Sequence, residues 1–246
     1  MVAMSTPQRI APRWEPTARW ERRYREVLDA AATIFADKGY AGASTRDIAE
    51  RLGVRQASLY YYFPSKEAAL AAICELGVRD FIVNLEAIIG DPGMTASEKL
   101  RAAIANHLTP LRSRPAADYI RVFLAHRHEL PPGSRKAVAE LARTYQGLVE
   151  QLFAEGVASG QLRGDLPPQL AALAFLGLCN SVISNRSMPR SSTIDIIVDE
   201  YARILIEGVT ADAPKRSKRY SGLKISDAHQ SRGGRDRGNH PPKRTQ

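Results

Sequence analysis

The chain has 246 residues, with 35 Lys and Arg against 26 Asp and Glu, for a formal charge of +9. Charged residues make up 25% and apolar ones 44%, which excludes a wholly disordered, collagen-like or low-complexity chain. No run of 18 apolar residues offers a membrane-spanning helix, and the opening MVAMSTPQRIAPRW lacks the apolar core of a signal peptide.

Residues 1–20 combine Pro, Arg and Trp without a steady period and read as a flexible basic arm. From Arg22 the pattern turns helical. Val27, Leu28, Ala31, Ile34 and Phe35 recur on one face, and Gly39 supplies a stop. A short second helix follows Ser44 or Thr45, either of which suits an N-cap, and ends at Gly53. A short third helix runs from about Gln56 to Tyr62 and stops before Pro64. The fourth starts near the N-cap Ser65 and keeps helical spacing to Ile89, where Gly90-Asp91-Pro92-Gly93 breaks it.

The fifth helix opens on Thr95-Ala96-Ser97-Glu98, a capping-box pattern, and Pro110 should end or kink it. The sixth covers about Ala116–Glu129, and Pro131 to Ser134 read as a turn. The seventh runs to about Ser159 and stops at Gly160; the eighth starts between Asp165 and Pro168 and stays apolar nearly all round through Ile183. The ninth spans about Thr193–Glu207, with Gly208 as its C′ residue. No strand-like alternation occurs. The expected fold is all-α, with about nine helices. Its divisions are a basic arm (1–20), a helix-turn-helix unit (21–66), a helical body (67–210) and a disordered basic tail (211–246).

The stretch from Thr45 to Lys66 carries the most information. Two short helices meet at a turn holding Gly53, as a helix-turn-helix requires, and Gly53 can take the positive φ of that turn. Ile48, Ala49, Leu52, Val54 and Leu59 hold the two helices together. Arg46, Gln56, Ser58, Tyr60, Tyr62 and Lys66 then face outward. Gln can pair with adenine, Arg with guanine, and hydroxyls and Lys with phosphate.

In order, Ala31-Ala32, Phe35, Gly39-Tyr40, Ser44 to Ala49, Leu52-Gly53-Val54, Ala57 to Phe63, Ser65 to Ala68 and Leu70 match the TetR family of transcriptional regulators. The chain strongly resembles that family over these residues, with small departures at Pro64 and Ala69. Beyond them it is similar in length, helix count and the turn at Gly156–Leu162. The resemblance implies a non-enzymatic DNA-binding regulator. Thr45 and Lys66 would bind phosphate, and Arg46 a base or phosphate. Gln56, Ala57 and Ser58 would face base edges, with Arg55 an additional reader. Tyr60 would pack on a phosphate and Tyr62 would lie toward the major groove. Tyr61 and Phe63 would turn inward.

The same resemblance implies a homodimer on double-stranded operator DNA, with a near-palindromic site. The eighth and ninth helices are the expected dimer elements, through Leu170, Ala174, Gly177, Ile183, Ile197, Tyr201 and Ile204. A small-molecule effector, with no other cofactor, is expected among the fourth to eighth helices. The candidate lining is Phe81, Leu85, Ile104, Leu108, Tyr119, Phe123, Leu148 and Leu152. This apolar set favours a lipophilic effector such as an acyl or steroid-derived thioester, an aromatic acid or a drug.

His107, His126 and His128 are the histidines of the body, and the last two do not share a helix face. Polar or effector-binding roles suit them better than a metal site. Cys74 and Cys179 sit apart in apolar helical patterns, with neither metal nor disulfide spacing, as fits a reducing cytoplasm and no membrane partner. Residues 1–66 carry +4, residues 67–211 carry −2 and residues 212–246 carry +7. The tail is either a non-specific phosphate binder or an inert extension. Two other classes compete with a repressor. An architectural DNA binder leaves the long helical body unexplained. An enzyme lacks any nucleophile motif, Gly-rich phosphate loop or acid–base pair.

Overall fold

Helical periodicity is realised throughout the computed structural model, which describes residues 17–184 and 193–210. α1 (Ala18–Gly42) starts four residues before the expected Arg22, because the Thr17 hydroxyl caps it by accepting from the Trp20 amide at 3.3 Å. Thr17 to Trp20 therefore belong to the helix start rather than to the predicted arm. The rest of that arm, residues 1–16, and the predicted tail from residue 211 lie outside the described residues. Gly39 takes φ +71° and breaks the helical path before Gly42.

α2 (Thr45–Leu52) and α3 (Gln56–Leu59) follow, then α4 (Lys66–Gly90), α5 (Ala96–Leu108) and α6 (Arg114–His126). Pro110 ends α5 in a 3-10 turn, Thr109–Arg112, and a second such turn, Arg127–Glu129, follows α6. α7 (Pro132–Ala158), α8 (Pro168–Ser184) and α9 (Ile194–Val209) complete the set. Among the described residues the β contact is an isolated bridge between Leu162 and Thr210.

Three further ends differ from expectation. α3 stops at Leu59 rather than Tyr62. The amides of Tyr62 and Phe63 both return to the Leu59 carbonyl, at 2.8 and 3.0 Å, and Pro64 disfavours a helical Phe63. α7 begins at Pro132, inside the predicted turn, since proline is well suited to the first helical position. α9 passes through Gly208 to Val209. The Arg163 amide donates to the Val209 carbonyl at 2.9 Å, so the loop after α7 satisfies that end without a left-handed glycine.

Two apolar clusters form. The first gathers Leu28, Phe35, Ile48, Leu59, Phe63, Leu70 and Ile73 with Val122, Leu130 and Val138. It therefore extends past Lys66 into α4 and takes in side chains from α6 and α7. The second gathers Leu85, Leu100, Ile104, Leu108, Leu152, Phe153 and Phe175 with the inner face of α9. Each such fully buried side chain contributes roughly 1.5–3 kcal/mol. α4 and α6 serve both clusters, and α1 lies along α6. Cys74 and Cys179 are free and buried, and burial pushes both thiols up to about 12.

Candidate nucleic-acid interface and effector cavities

The helix-turn-helix is built from caps and one turn. Ser44 and Asp47 cap each other at the start of α2: the Asp47 amide donates to Ser44 Oγ at 3.2 Å, and the Ser44 amide to Asp47 Oδ2 at 2.8 Å. Lys38 Nζ meets Asp47 Oδ1 at 2.5 Å. That contact, with the donors of Ser44, holds the Asp47 carboxyl down to about 2. Gly53, at φ +65°, closes α2, and its amide reaches the carbonyls of Ala49 and Glu50. The chain can then reverse so that α3 crosses α2.

This places Arg55, Gln56, Ala57, Ser58 and Tyr60 side by side on the surface. Gln56 Nε2 donates to Thr45 Oγ1 at 2.7 Å, joining the starts of α2 and α3. Thr45 is half-buried by that contact. Arg46 is exposed and pairs with Glu50 at 2.9 Å. Tyr62 is half-buried and Phe63 fully so.

Two side chains differ from expectation. Tyr61 is 55% exposed rather than inward, because α3 has ended and helical alternation no longer sets its direction. It stands edge-on to Tyr62 at 5.2 Å. Lys66, expected on phosphate, turns back onto the end of α1. Its ammonium donates to the Tyr40 and Ala43 carbonyls at 2.8 and 2.9 Å and lies 4.3 Å from the Tyr40 ring centre. Carbonyls at a helix C-terminus attract a cation for the reason the helix dipole gives.

One feature of this surface is absent from the sequence reading. Trp20 stacks on Tyr24 at 5.0 Å and tilts against Tyr62 at 6.2 Å, fastening the first turn of α1 to the segment after α3. Arg19, Arg22 and Arg23 share an open groove there with Tyr61 and Tyr62. Its signal was the Trp20–Tyr24 spacing of one helical turn, which reading residues 1–20 as an arm discards.

Among the described residues, two cavities lie above this unit. The outer one, of about 570 Å³, runs between α4, α5 and α6, and Arg25 and Asp29 of α1 form part of its wall. Asp80, Asn84, Asn106 and Tyr119 also line it. The Tyr119 phenol is pushed up by burial and by the Asp29 carboxylate beside it. The inner cavity, of about 230 Å³, shares Gly77, Phe81 and Ile120 with the outer one and reaches His107, Tyr145 and Asn180.

Phe81, Tyr119 and Phe123 of the expected lining do line these cavities. Leu85, Ile104, Leu108 and Leu152 line neither. They are wholly buried in the second cluster, and Leu148 packs against it. The i, i+4 stripe that flagged them marks the face of each helix turned to its neighbours, not the gap between helices. The lining is also more polar than expected, since the outer cavity sits where the solvent-side residues of α1 meet α4 and α6.

His107 donates from Nε2 to Asn180 Oδ1 at 3.2 Å and accepts at Nδ1 from the Tyr145 hydroxyl at 3.0 Å. Burial pulls the imidazole down to about 4, so it is neutral near pH 7. His126 Nδ1 lies 2.8 Å from Glu129 Oε1. Among the described residues no three His, Cys, Asp or Glu side chains cluster as metal ligands.

On α8, Leu170, Leu173, Ala174 and Gly177 form one exposed helical stripe, with Leu170 63% exposed. Ile196 and Ile204 are exposed on α9, and Ile183 and Tyr201 are half-buried. Tyr201 Oη lies 3.2 Å from Ser181 Oγ, tying the two helices together. Ile197, expected at a dimer seam, is buried within the protomer. It belongs to the inner stripe of α9 with Val198, Ala202 and Leu205, and its neighbour Ile196 takes the outer face instead.

Comparison with known proteins agrees with this anatomy. Residues 27–73 match the family of bacterial regulatory proteins, tetR family, and residues 93–209 match the tetracyclin repressor-like C-terminal domain. The chain is 25% identical over 192 residues to the fatty acid metabolism regulator protein of Bacillus subtilis (strain 168), covering 76% of this chain and 95% of that one. It is 31% identical over 149 residues to the HTH-type transcriptional repressor KstR2 of Mycolicibacterium smegmatis, covering 60% of this chain and 71% of that one. The crystal structure of AibR with isovaleryl coenzyme A and operator DNA superposes with a TM-score of 0.66 at 26% identity, covering 75% of this chain and 98% of that one. Sequence motif, helix order and both matched segments agree: the chain belongs to the TetR family of bacterial transcriptional regulators.

Proposed function

We propose that the protein is a dimeric, cytoplasmic repressor of a near-palindromic operator, released when an acyl-coenzyme A thioester occupies the body. The observation that carries this reading is the outer cavity. One of its walls is α1 of the DNA-reading unit, through Arg25 and Asp29, and the others are α4, α5 and α6. An occupant there touches both halves of the molecule at once. If it fits best with α1 displaced, it weakens operator binding by its own preference between the two arrangements. Relatives whose names or structures carry fatty acid metabolism and isovaleryl coenzyme A support a thioester. No cofactor or metal beyond the effector enters this reading. Among the described residues no helix is long and apolar enough to cross a membrane.

On the DNA side, Gln56, Ala57, Ser58 and Arg55 read base edges and Tyr62 lies toward the major groove, while Tyr60, Thr45 and Arg46 position the unit on phosphates. Lys66 supports α1 and need not leave its carbonyls. Selection from random duplexes should recover a palindrome. Gln56→Ala should then cost about 1–3 kcal/mol and relax one position per half-site. Unchanged affinity and preference would remove Gln56 from the readout.

The effector arm is tested by titrating acyl-coenzyme A thioesters of graded chain length into the selected complex. At least one should weaken binding tenfold or more, with coenzyme A alone inactive. Recovery of no palindrome would favour an architectural DNA binder, and release by no thioester would remove this effector class.

A further inference from the structure

The inner chamber has two polar ends and an apolar waist. Its deep end is the network of His107, Tyr145 and Asn180. His107 and Tyr145 are buried, and both imidazole nitrogens are already engaged within that network. The network still has unused capacity. With Oδ1 of Asn180 taken by His107, its amide N–H groups make no hydrogen bond among the described residues, and the Tyr145 oxygen keeps a lone pair. Its other end is Arg127, which is exposed and lies over the Phe123 ring at 4.9 Å. None of the side chains lining the chamber is acidic.

Three physical constraints then act on an occupant. An all-methylene chain would cover the Asn180 amide with carbon, displace water from it and leave a donor unmet, which is costly. A carboxylate at the deep end would lie against a neutral imidazole with no cation beside it. Size is the third constraint. At about 230 Å³ the chamber is smaller than the roughly 300–1,000 Å³ of an ordinary ligand pocket, so a long straight chain does not fit it alone.

Resting on the thioester reading above, we infer that the inner chamber selects a short acyl group whose far end carries a neutral oxygen, a ketone or hydroxyl. The Asn180 amide meets that oxygen, and the thioester end leads back past Gly77, Phe81 and Ile120, which the inner chamber shares with the outer cavity. Asn180 is thus a specificity-determining residue of the effector site.

The test is calorimetric titration of the full-length protein with two matched probes, hexanoyl-coenzyme A and 5-oxohexanoyl-coenzyme A. The oxo thioester should bind at least tenfold tighter. Asn180→Leu should abolish that preference, because it removes both the donor that a ketone meets and the donor that an alkyl chain leaves unmet. Equal binding of the two probes by the unaltered protein would overturn the inference and leave the thioester reading standing. A preference that survives Asn180→Leu would overturn the role of Asn180. Binding of neither probe would overturn this inference and count against the thioester reading with it. The comparison in the unaltered protein decides the matter even if Asn180→Leu does not fold.

Discussion

A Leu173→Glu protein is expected to sediment as a monomer and to lose at least a hundredfold in operator affinity. Leu173 is 54% exposed in the protomer and lies in the stripe with Leu170, Ala174 and Gly177. In the dimer that a TetR regulator forms, this stripe and the outer face of α9 are the apolar surface available to a second copy. A carboxylate buried there without a partner costs about 3–5 kcal/mol, and two-fold symmetry places it in the seam twice. Losing the dimer also uncouples the two half-sites, so each recognition helix binds without the effective concentration its mate supplies. Sedimentation equilibrium and an operator gel shift measure the two effects, and helical circular dichroism reports whether the protomer stays folded. A dimer of unchanged affinity would place the seam on another face.

Gly156→Val is the substitution expected to cost the fold most among those considered, at about 3 kcal/mol. Gly156 is buried in α7 where the loop after that helix folds back. A Cβ at this position would stand 2.6 Å from Leu162 Cδ1, 2.7 Å from Leu162 Cγ and 3.2 Å from Ala96 Cβ. Leu162 is 1% exposed, so it has little room to yield. Propensity acts in the opposite direction, since leaving Gly gains up to about 1 kcal/mol inside a helix. A net loss therefore identifies the close approach as its cause. At fixed protein concentration the midpoint of thermal unfolding should fall by roughly 6–12 °C. With Leu162→Ala added, the combined loss should be smaller than the sum of the two single losses, because the second change removes the atoms that clash. Strictly additive losses would show that the Leu162 contact is not responsible.

Much of the DNA-reading unit could be read before any coordinates. Its information is local: a hydroxyl at Ser44, a glycine at Gly53, and apolar residues at helical spacing around Ile48 and Leu59. Caps, turns and stripes act over a few residues, so their chemistry is written in consecutive letters. The same holds for Ser65 at the start of α4 and for the box of Thr95 and Glu98. Local rules were weakest where a helix ends. Tyr61 was expected inward on the assumption that α3 continued, and Gly208 was expected to stop a helix whose end is satisfied by Arg163, 46 positions earlier in the chain.

The cavities were decided elsewhere. Periodicity found the apolar residues between α4 and α8 but could not distinguish a side chain filling a helix interface from one bordering a gap. Leu85 and Ile104 filled interfaces, and Phe81 bordered the gap. Arg25 and Asp29 gave no sign of a pocket because their neighbours across it come from α4 to α6, far along the chain. His107, Tyr145 and Asn180 meet only because three separate helices converge. The sequence by itself determined an all-α regulator with a helix-turn-helix, since that function needs a short contiguous motif. Only the tertiary structure decided which side chains surround the effector space and which outer faces of α8 and α9 remain for a second copy. Those properties belong to the spaces between helices, and no single stretch of chain encodes them.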